Sequence, residues 1–515
     1  MISKKLLSAG LAAAVMLLSA APAAAQGYTM ISTAEELSWI GGDRPGYSLS
    51  GRFELADNID ISQICREAAG NLGWKPIGTA AAPFTGEFNG AGKVITGLYI
   101  NRVSEGNVGL FGYVGRGAVI RNLGVSADTA AGSSSHGVTG SYAVGILAGS
   151  NDGDIISSYT LGYVNGLRLT ESNVGGLVGV NGGRIEKSFS TATVDGRENV
   201  GGLVGFLAAV VSGSIADSYA AGRVGSGGAS NVGGLVGYTF GGTIDKCFSV
   251  GQVVGSGTVG GLGGQDFSAG NPAWNVRGRN SAGEAVKNVA VTNSFWDIGA
   301  SNQNVSTGGT GRPTAEMLSA STFEGWDFTT TWTISPGSYY PQLKEIPLCT
   351  LTYRAGPGGN LALIIDGERT EGDSCVMILG PGVKGLRVTA SPNTGYVFDR
   401  WSDGLTAPSR DDIVFENTTL TAMFRVGDGS ANFVMYTSGT GGKLRVDGIE
   451  NLVDIYNDQS AALNTRLPTI TAVPSPGWRF TGWFESDNLI DTDTIRSDLV
   501  PDRTLWVEAR FELDS

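Results

Sequence analysis

A single histidine, His136, serves the whole chain of 515 residues. A His-Glu-x-x-His zinc site needs two histidines, so it is excluded. A Ser-His-Asp triad would have to recruit His136. That residue lies in Gly132-Ser-Ser-Ser-His-Gly137, a polar loop where a solvated ring is the simpler reading. The four cysteines, Cys65, Cys247, Cys349 and Cys375, have no Cys-x-x-Cys spacing. That removes zinc ribbons and dithiol redox chemistry. No nucleophile elbow or P-loop is present. Beyond residues 6–18, no stretch approaches the roughly 18 apolar residues of a transmembrane helix. Basic residues are the scarcer charge: 35 Lys and Arg against 48 Asp and Glu, a net of −13. A chain this acidic is poorly suited to nucleic acid or to anionic membranes.

Carboxylates are the remaining route to catalysis, since glycosidases need only two across a groove. Asp57 with Asp60, or Asp195 with Asp217, are the candidate pairs, and both are more simply read as corner residues capping turns. Asp487, Asp491 and Asp493 form an acidic group, but it lacks the Gly and distal Glu of a calcium loop. No metal, cofactor or catalytic residue is therefore assigned.

Glycine is abundant and ordered. Thirty-four of the 80 glycines fall between Gly132 and Gly264. They sit in a repeated phrase: Asn173-Val-Gly-Gly-Leu-Val-Gly179, Asn199 to Gly205 and Asn231 to Gly237 are identical. Degenerate copies end at Gly112, Gly149 and Gly264, and the closing glycines are 37, 30, 26, 32 and 27 residues apart. Each copy is followed by an aliphatic residue, two variable residues, a small residue and an aromatic. These are Ile155 to Tyr159, Ile185 to Phe189, Ile215 to Tyr219, Ile244 to Phe248 and, after an insertion, Val291 to Phe295. A flexible linker has no reason to keep aliphatic positions in register. The period instead predicts stacked supersecondary units of short strands. Leu147, Leu177, Leu203, Leu235 and Leu262 should form one ladder, and Tyr159, Phe189, Tyr219 and Phe248 another. Parallel strands with same-sense crossovers should wind right-handed. About ten coils would make a rod on the order of 50 Å long.

These copies resemble the GLUG motif, found in bacterial surface adhesins and in stalk-like segments of IgA-cleaving metallopeptidases. The flanks are similar too: Ile31 to Leu37, Phe53 to Asp60, Trp74 to Gly78 and Phe84 to Gly90 at the opening, and Ser294 to Asp297, Thr314 to Met317, Gly325 to Phe328 and Tyr340 to Leu343 at the close. The resemblance implies a β-solenoid over residues 26–346 and a cell-surface setting. It names no ligand, and the metallopeptidase activity of longer relatives cannot reside in a chain with one histidine.

Residues 1–25 read as a secretory signal: Lys4 and Lys5, an apolar core, and small residues before a cleavage between Ala25 and Gln26. After Pro347 the composition changes. Thr389 to Trp401 aligns without a gap to Thr471 to Trp483, and Ala422-Met-Phe424 to Ala509-Arg-Phe511. Two β-rich modules, 347–426 and 431–515, follow from this. They are similar to the divergent internalin-B-type repeat, which implies a β-grasp-like fold. Residues 347–515 hold 23 Asp and Glu and 14 Lys and Arg, a net of −9. Tyr396, Phe398, Trp401, Trp478, Phe480 and Trp483 are read as module core ahead of a sugar-stacking platform. Cys349 and Cys375 share a module, and a bridge between them would add roughly 3 kcal/mol. Cys247 fills a slot that other coils give to Ser, and Cys65 has no assigned partner.

The expected fold class is thus all-β: a right-handed parallel β-solenoid followed by two small β-grasp-like modules. The expected function is an exported, non-catalytic, adhesin-like protein whose rod displays binding or spacer modules, secreted, at the cell surface, or retained in the periplasm. Its partner would be a surface glycan or protein. The alternatives are a secreted polysaccharide lyase or glycosidase, and an extracellular structural component. Insertions at 128–141, 165–172 and 265–288 interrupt the period. Phe267, Trp274, Arg277 and Arg279 in the last of these are the candidate ligand-binding residues, because exposed Trp and Arg suit recognition. A loop that merely covers the final coil explains them equally well.

Overall fold

A computed structural model describes residues 27–127, 137–167, 172–208, 213–266 and 289–515. The last range has short gaps at 336, 338, 366–367, 415, 427–433, 440, 450–451, 454, 459–465, 486–487, 499–504 and 514–515. The proposed cleavage site at Ala25 and Gln26 and the loop of His136 fall outside the described residues.

A parallel β-solenoid occupies residues 29–312. One coil runs from Asp154 to Asn181, with 168–171 outside the described residues. It runs through five short strands: Asp154–Ile156, Tyr159–Leu161, Tyr163–Gly166, Val174–Gly175 and Val178–Asn181. The next coil repeats them in register, pairing Ile155 with Ile185, Tyr159 with Phe189, Val164 with Val194, Val174 with Val200 and Val178 with Val204. The two deepest sheets have nine strands each, one fewer than the expected ten coils. Eight strand spacings give a stack about 38 Å long.

The phrase Val-Gly-Gly-Leu-Val-Gly is explained by backbone crowding. A Cβ on Gly175 would lie 2.7 Å from Gly205 N and from Leu203 O. One on Gly179 would lie 2.7 Å from Gly149 O, with the backbone of Ala143 and Val144 closer still. These neighbours are main chain and cannot rotate away. The Asn that starts the phrase has its own reason. Asn199 and Asn231 adopt φ of 50° and 53°, where Asn is tolerated best after glycine. Their amides also bond along the stack, Asn199 to Asn173 at 2.8 Å and Asn231 to Asn199 at 2.9 Å.

Between the glycines the coil is filled by aliphatic ladders. Leu147, Leu177, Leu203 and Leu235 are fully buried, and Leu262 nearly so. The small residue before each aromatic is polar but satisfied. Ser188 Oγ accepts from Ser158 N–H at 3.1 Å and donates to Glu186 O at 2.9 Å. Cys247 takes the same place, its thiol on Asp245 O at 3.2 Å. Burial pushes this thiol well above the ordinary cysteine range, so it is an inert space-filler.

Both ends are covered. Thr33 opens a helix, Ala34–Ser38, with a reciprocal capping box to Glu36. At the far end, residues 305–307 occupy the free edge of the last coil: Gly261 N–H donates to Val305 O at 2.9 Å, and Leu262 and Gly263 N–H donate to Ser306 Oγ at 3.0 and 2.9 Å. A capped edge discourages end-to-end growth.

The first module has two four-stranded sheets. In one, its first strand, Cys349–Ala355, lies parallel to its last, Thr418–Val426, with antiparallel neighbours on either side. The second module repeats this with Val434–Ser438 and Leu505–Leu513. The central parallel pair is the β-grasp-like feature, while among the described residues a second sheet, not a helix, faces it. Trp401 and Trp483 are fully buried and Phe398 nearly so, as core residues should be. Tyr396, lying over Gly358, is exposed, and Trp478 and Phe480 are half-buried, so these three line the edge of the module cores.

The expected disulfide is not formed. Cys349 and Cys375 are both free. Cys349 is opposite Leu379 and Cys375 opposite Tyr353, so the two are four residues out of register. That offset is roughly 13 Å along the strands, far beyond disulfide reach.

Two substitutions check the coil. Leu203→Asp is expected to lower stability by about 4 kcal/mol, because a carboxylate then sits unpaired between two coils. Gly205→Ala is expected to cost about 2 kcal/mol or more from main-chain overlap. Urea denaturation followed by circular dichroism reads both; an unchanged midpoint for Leu203→Asp contradicts the inward assignment.

Candidate functional site

The aromatic ladder faces out of the coil. Rings of Tyr159, Phe189, Tyr219 and Phe248 stack at 5.1, 4.7 and 4.8 Å, with interplanar angles of 7°, 7° and 9°. It is nevertheless buried, under Phe323, Trp326, Trp332, Tyr340 and the Gly380–Val383 loop of the first module. Gln342 ties the parts together: its Oε1 accepts from Tyr219 Oη–H at 3.0 Å and from Gly380 N–H at 2.8 Å. Lys187 and Ser157 both bond Glu345. Trp332 Nε1–H donates to Asp217 at 3.0 Å, yet burial still raises the Asp217 pKa. The first module therefore lies along the flank of the rod, and this aromatic seam is a joint, closed to ligands.

An open row lies on another face. The residues after the closing glycines, Tyr113, Ser150, Val180, Phe206, Tyr238 and Gln265, stand in register there, all half-buried except Ser150, which is buried and donates to Asn107 at 2.6 Å. Phe206 and Tyr238 are half-buried and adjacent, their rings 5.4 Å apart and tilted by 33°. Tyr113 at the other end donates to Asp152 at 2.8 Å, and burial together with that carboxylate pushes its pKa up to about 12. Sequence reading missed this row; its signal was variation at one position beside invariant glycines. The strand Gly263–Asp266 ends the row and leads into the 265–288 insertion. Phe267, Trp274, Arg277 and Arg279 fall outside the described residues.

Three of the four candidate carboxylates, Asp60, Asp195 and Asp217, have structural partners. Asp60 caps the next turn, accepting from Ser62 N–H at 2.8 Å. Asp195 accepts from Tyr163 Oη–H at 3.1 Å and stands 3.6 Å from Arg223. Asp217, on a different face, serves Trp332. Asp491 holds Asp493 N–H at 3.0 Å, and no group of three metal-binding side chains occurs among the described residues.

Each module also contains a polar cluster that sequence reading overlooked. Arg410 bonds Asp412 through Nε and Nη2 at 2.6 and 2.7 Å and Asp403 through Nη1 and Nη2 at 2.9 and 2.7 Å. Tyr353 donates to Asp412 at 2.6 Å, and the guanidinium lies 5.1 Å from the Trp401 ring. The second module repeats this with Arg496, Asp498, Tyr436 and Trp483. An Arg-x-Asp after each Trp was the available signal. These clusters are enclosed by their modules and serve to anchor the Trp.

The fold thus defines a parallel β-solenoid carrying two appended β-modules. Residues 170–195 and 228–254 match the GLUG motif, and residues 349–428 and 434–515 match the divergent InlB B-repeat domain. A protein of Evansella cellulosilytica, provisionally described as a Gly-rich membrane protein, is 39% identical over 104 residues, 20% of this chain and 11% of the relative. Halomucin of Haloquadratum walsbyi is 33% identical over 125 residues, 24% of this chain and 1% of its own length. The chain thus spans only a small part of these relatives. A crystal structure from Bacteroides ovatus, provisionally described as an immunoglobulin A1 protease, aligns with 62% of this chain and 92% of its own, at 20% identity and a TM-score of 0.41. A second structure, an IgA1 protease, aligns with 54% of this chain and 20% of its own, at 18% identity and a TM-score of 0.36.

The module clusters yield a pH-dependent expectation. Burial alone would raise the Asp498 pKa, but Arg496 and Tyr436 outweigh it and hold it below the ordinary carboxylate range. A depressed folded pKa contributes stability above the unfolded value of about 3.9 and loses it as pH falls through the folded value. Asp498→Asn should therefore cost about 2–4 kcal/mol at neutral pH, since it strands a buried guanidinium. The gap to wild type should narrow below about pH 4. Urea titrations at the two pH values measure it; a pH-independent gap refutes the ionic role.

Proposed function

We propose that this chain is an exported, non-catalytic surface-binding protein of adhesin-like type. Its rod would present ligand-contacting side chains from the outward row and the corner insertions. The observation that carries this reading is how the repeat spends its residues. Glycine, aliphatic, Ser and Asn positions are consumed by packing within and between coils. The position after the closing glycine and the corner insertions vary instead, and Phe206 and Tyr238 at that position are half-buried. Phe206 and Tyr238 offer an apolar aromatic step, suited to a sugar ring or a partner side chain. Insertions in a solenoid emerge on its surface and often build the contact face. The repeats matched, GLUG and the divergent InlB type, and the membrane-protein description of one relative support placement at the cell surface. No helix among the described residues is long and apolar enough to cross a membrane.

The two modules serve in this reading as a buttress and a spacer. The first is fused to the rod flank through the aromatic seam. The second has its own core, built around Tyr436, Trp483 and Val507.

A glycan and matrix-protein array on the mature chain tests the proposal. Binding without release of reducing ends or peptides is expected; turnover of a bound polysaccharide would establish the enzymatic alternative. Deleting 265–288 should abolish binding and leave the melting transition nearly unchanged. Retained binding removes that segment from the site, and Phe206→Ala with Tyr238→Ala then tests the row itself, with a loss of about tenfold expected.

A further inference from the structure

Asn165 belongs to a polar row on a side of the rod distinct from the aromatic row. The strands Ile100–Arg102, Val138–Gly140, Tyr163–Gly166 and Thr193–Asp195 form one parallel sheet. Ile100, Val138, Val164 and Val194 are fully buried and point into the coil. The alternate residues Asn101, Thr139, Asn165 and Asp195 stand in register on the outer side, each half-buried. Among the described residues no hydrogen bond engages the side chains of Asn101, Thr139 or Asn165. A second outward row runs beside this one. It holds Tyr163 and Thr193, both half-buried, and then Arg223, which is exposed. Gly137 precedes Tyr163 in that row and puts no side chain against its ring. Tyr163 Oη–H donates to Asp195 at 3.1 Å, and Arg223 stands 3.6 Å from the same carboxylate. Acid and base in these rows therefore offset each other.

Two other faces of the coil are already claimed. The aromatic ladder lies under the first module, and Arg52, Glu87 and Arg121 pair with one another on the sheet they share. The first module stands beside the Asn165 face. A Cβ on Gly382 would lie 2.4 Å from Leu161 Cδ2, so this loop packs on Leu161, two residues before Tyr163. A polar floor beside a protein wall gives a trough along the rod axis.

We propose that this trough binds an uncharged, extended polysaccharide laid along the rod. The inference rests on the surface-binding reading above and adds a ligand class and a face separate from the aromatic row. Asn and Thr side chains offer both donors and acceptors, as sugar hydroxyls do. They recur once per coil, at about 4.8 Å, close to the length of one sugar in an extended β-linked chain. Successive coils can then hold successive sugars through like contacts. Tyr163 contributes a ring that is apolar on its face and polar at its tip, which suits a sugar. Charge selects against a polyanion, because the rows carry no surplus of either sign and the chain as a whole is −13.

The experiment is calorimetric titration of the mature full-length chain with cellohexaose, mannohexaose, cellobiose and polygalacturonate. At least one hexasaccharide should bind, with an affinity that stays nearly constant as salt rises from about 50 to about 300 mM. Cellobiose should bind at least about tenfold more weakly, since it spans fewer coils. Thr139→Val with Asn165→Ala should weaken hexasaccharide binding by at least about tenfold. These side chains hold nothing else in the chain, so melting should be unchanged, and circular dichroism of the variant confirms the fold. Phe206→Ala with Tyr238→Ala should leave this affinity unaltered. Failure of both hexasaccharides to bind, tighter binding of polygalacturonate, or full affinity in the Thr139 and Asn165 variant overturns the proposal. Loss of binding in the Phe206 and Tyr238 variant alone would move the sugar to the aromatic row and overturn it equally. Array ligands that bind while both hexasaccharides fail would leave the surface-binding reading standing and remove only this trough; an array without any ligand would count against that reading itself.

Discussion

The whole rod depends on main chain approaching main chain where no side chain fits. At Gly175 and Gly179 the backbone of the next or opposite strand stands where a Cβ would be. That closeness sets the cross-section of every coil. It also sets the register, because sliding a coil by one residue would drive Val or Leu into the space left for glycine. Once the register is set, like residues must stack, and the ladders of Leu, Val, Ile, Ser and Asn follow. The polar ladders are tolerated because each hydroxyl or amide bonds its own coil or the next, as Ser188 and Asn199 do.

Stacking on the outside of the coil has a different outcome. An outward ladder of Tyr and Phe is a large apolar strip, and water would penalise it unless something covered it. The chain covers it with its own closing segment and first module. Each ring pair contributes roughly 0.5–1.5 kcal/mol beyond area burial, and the seam uses three such steps before the tryptophans are added. The result is one structural body in which the first module shares its core with the solenoid flank, while the second keeps its own. Two similar modules are thus packed differently.

Functional capacity is left to positions that packing does not claim. Three of the carboxylates singled out in the sequence are engaged in packing or capping. Asp60 caps a turn, Asp195 holds Tyr163 and Arg223, and Asp217 anchors Trp332. The outward row remains, with Phe206 and Tyr238 as its aromatic step.

Much of this was legible in the sequence, and the reason is periodicity. A repeat that must stack on itself writes its register into its spacing, so the Leu ladder, the aromatic ladder and the Ser slot of Cys247 could be read directly. The module tryptophans were legible as core because two copies shared one pattern. What tertiary structure alone decided concerns pairs distant in the chain. That Cys349 and Cys375 lie four residues out of register follows from strand pairing, which composition does not reveal. That the aromatic ladder points outward and is roofed by Trp332 and Gln342 needed the closing segment to fold back over the flank. That the first module stands beside the Asn165 row required module and rod to meet. Local spacing determines a coil; the meeting of separate coils and modules depends on surfaces that exist only after each has folded.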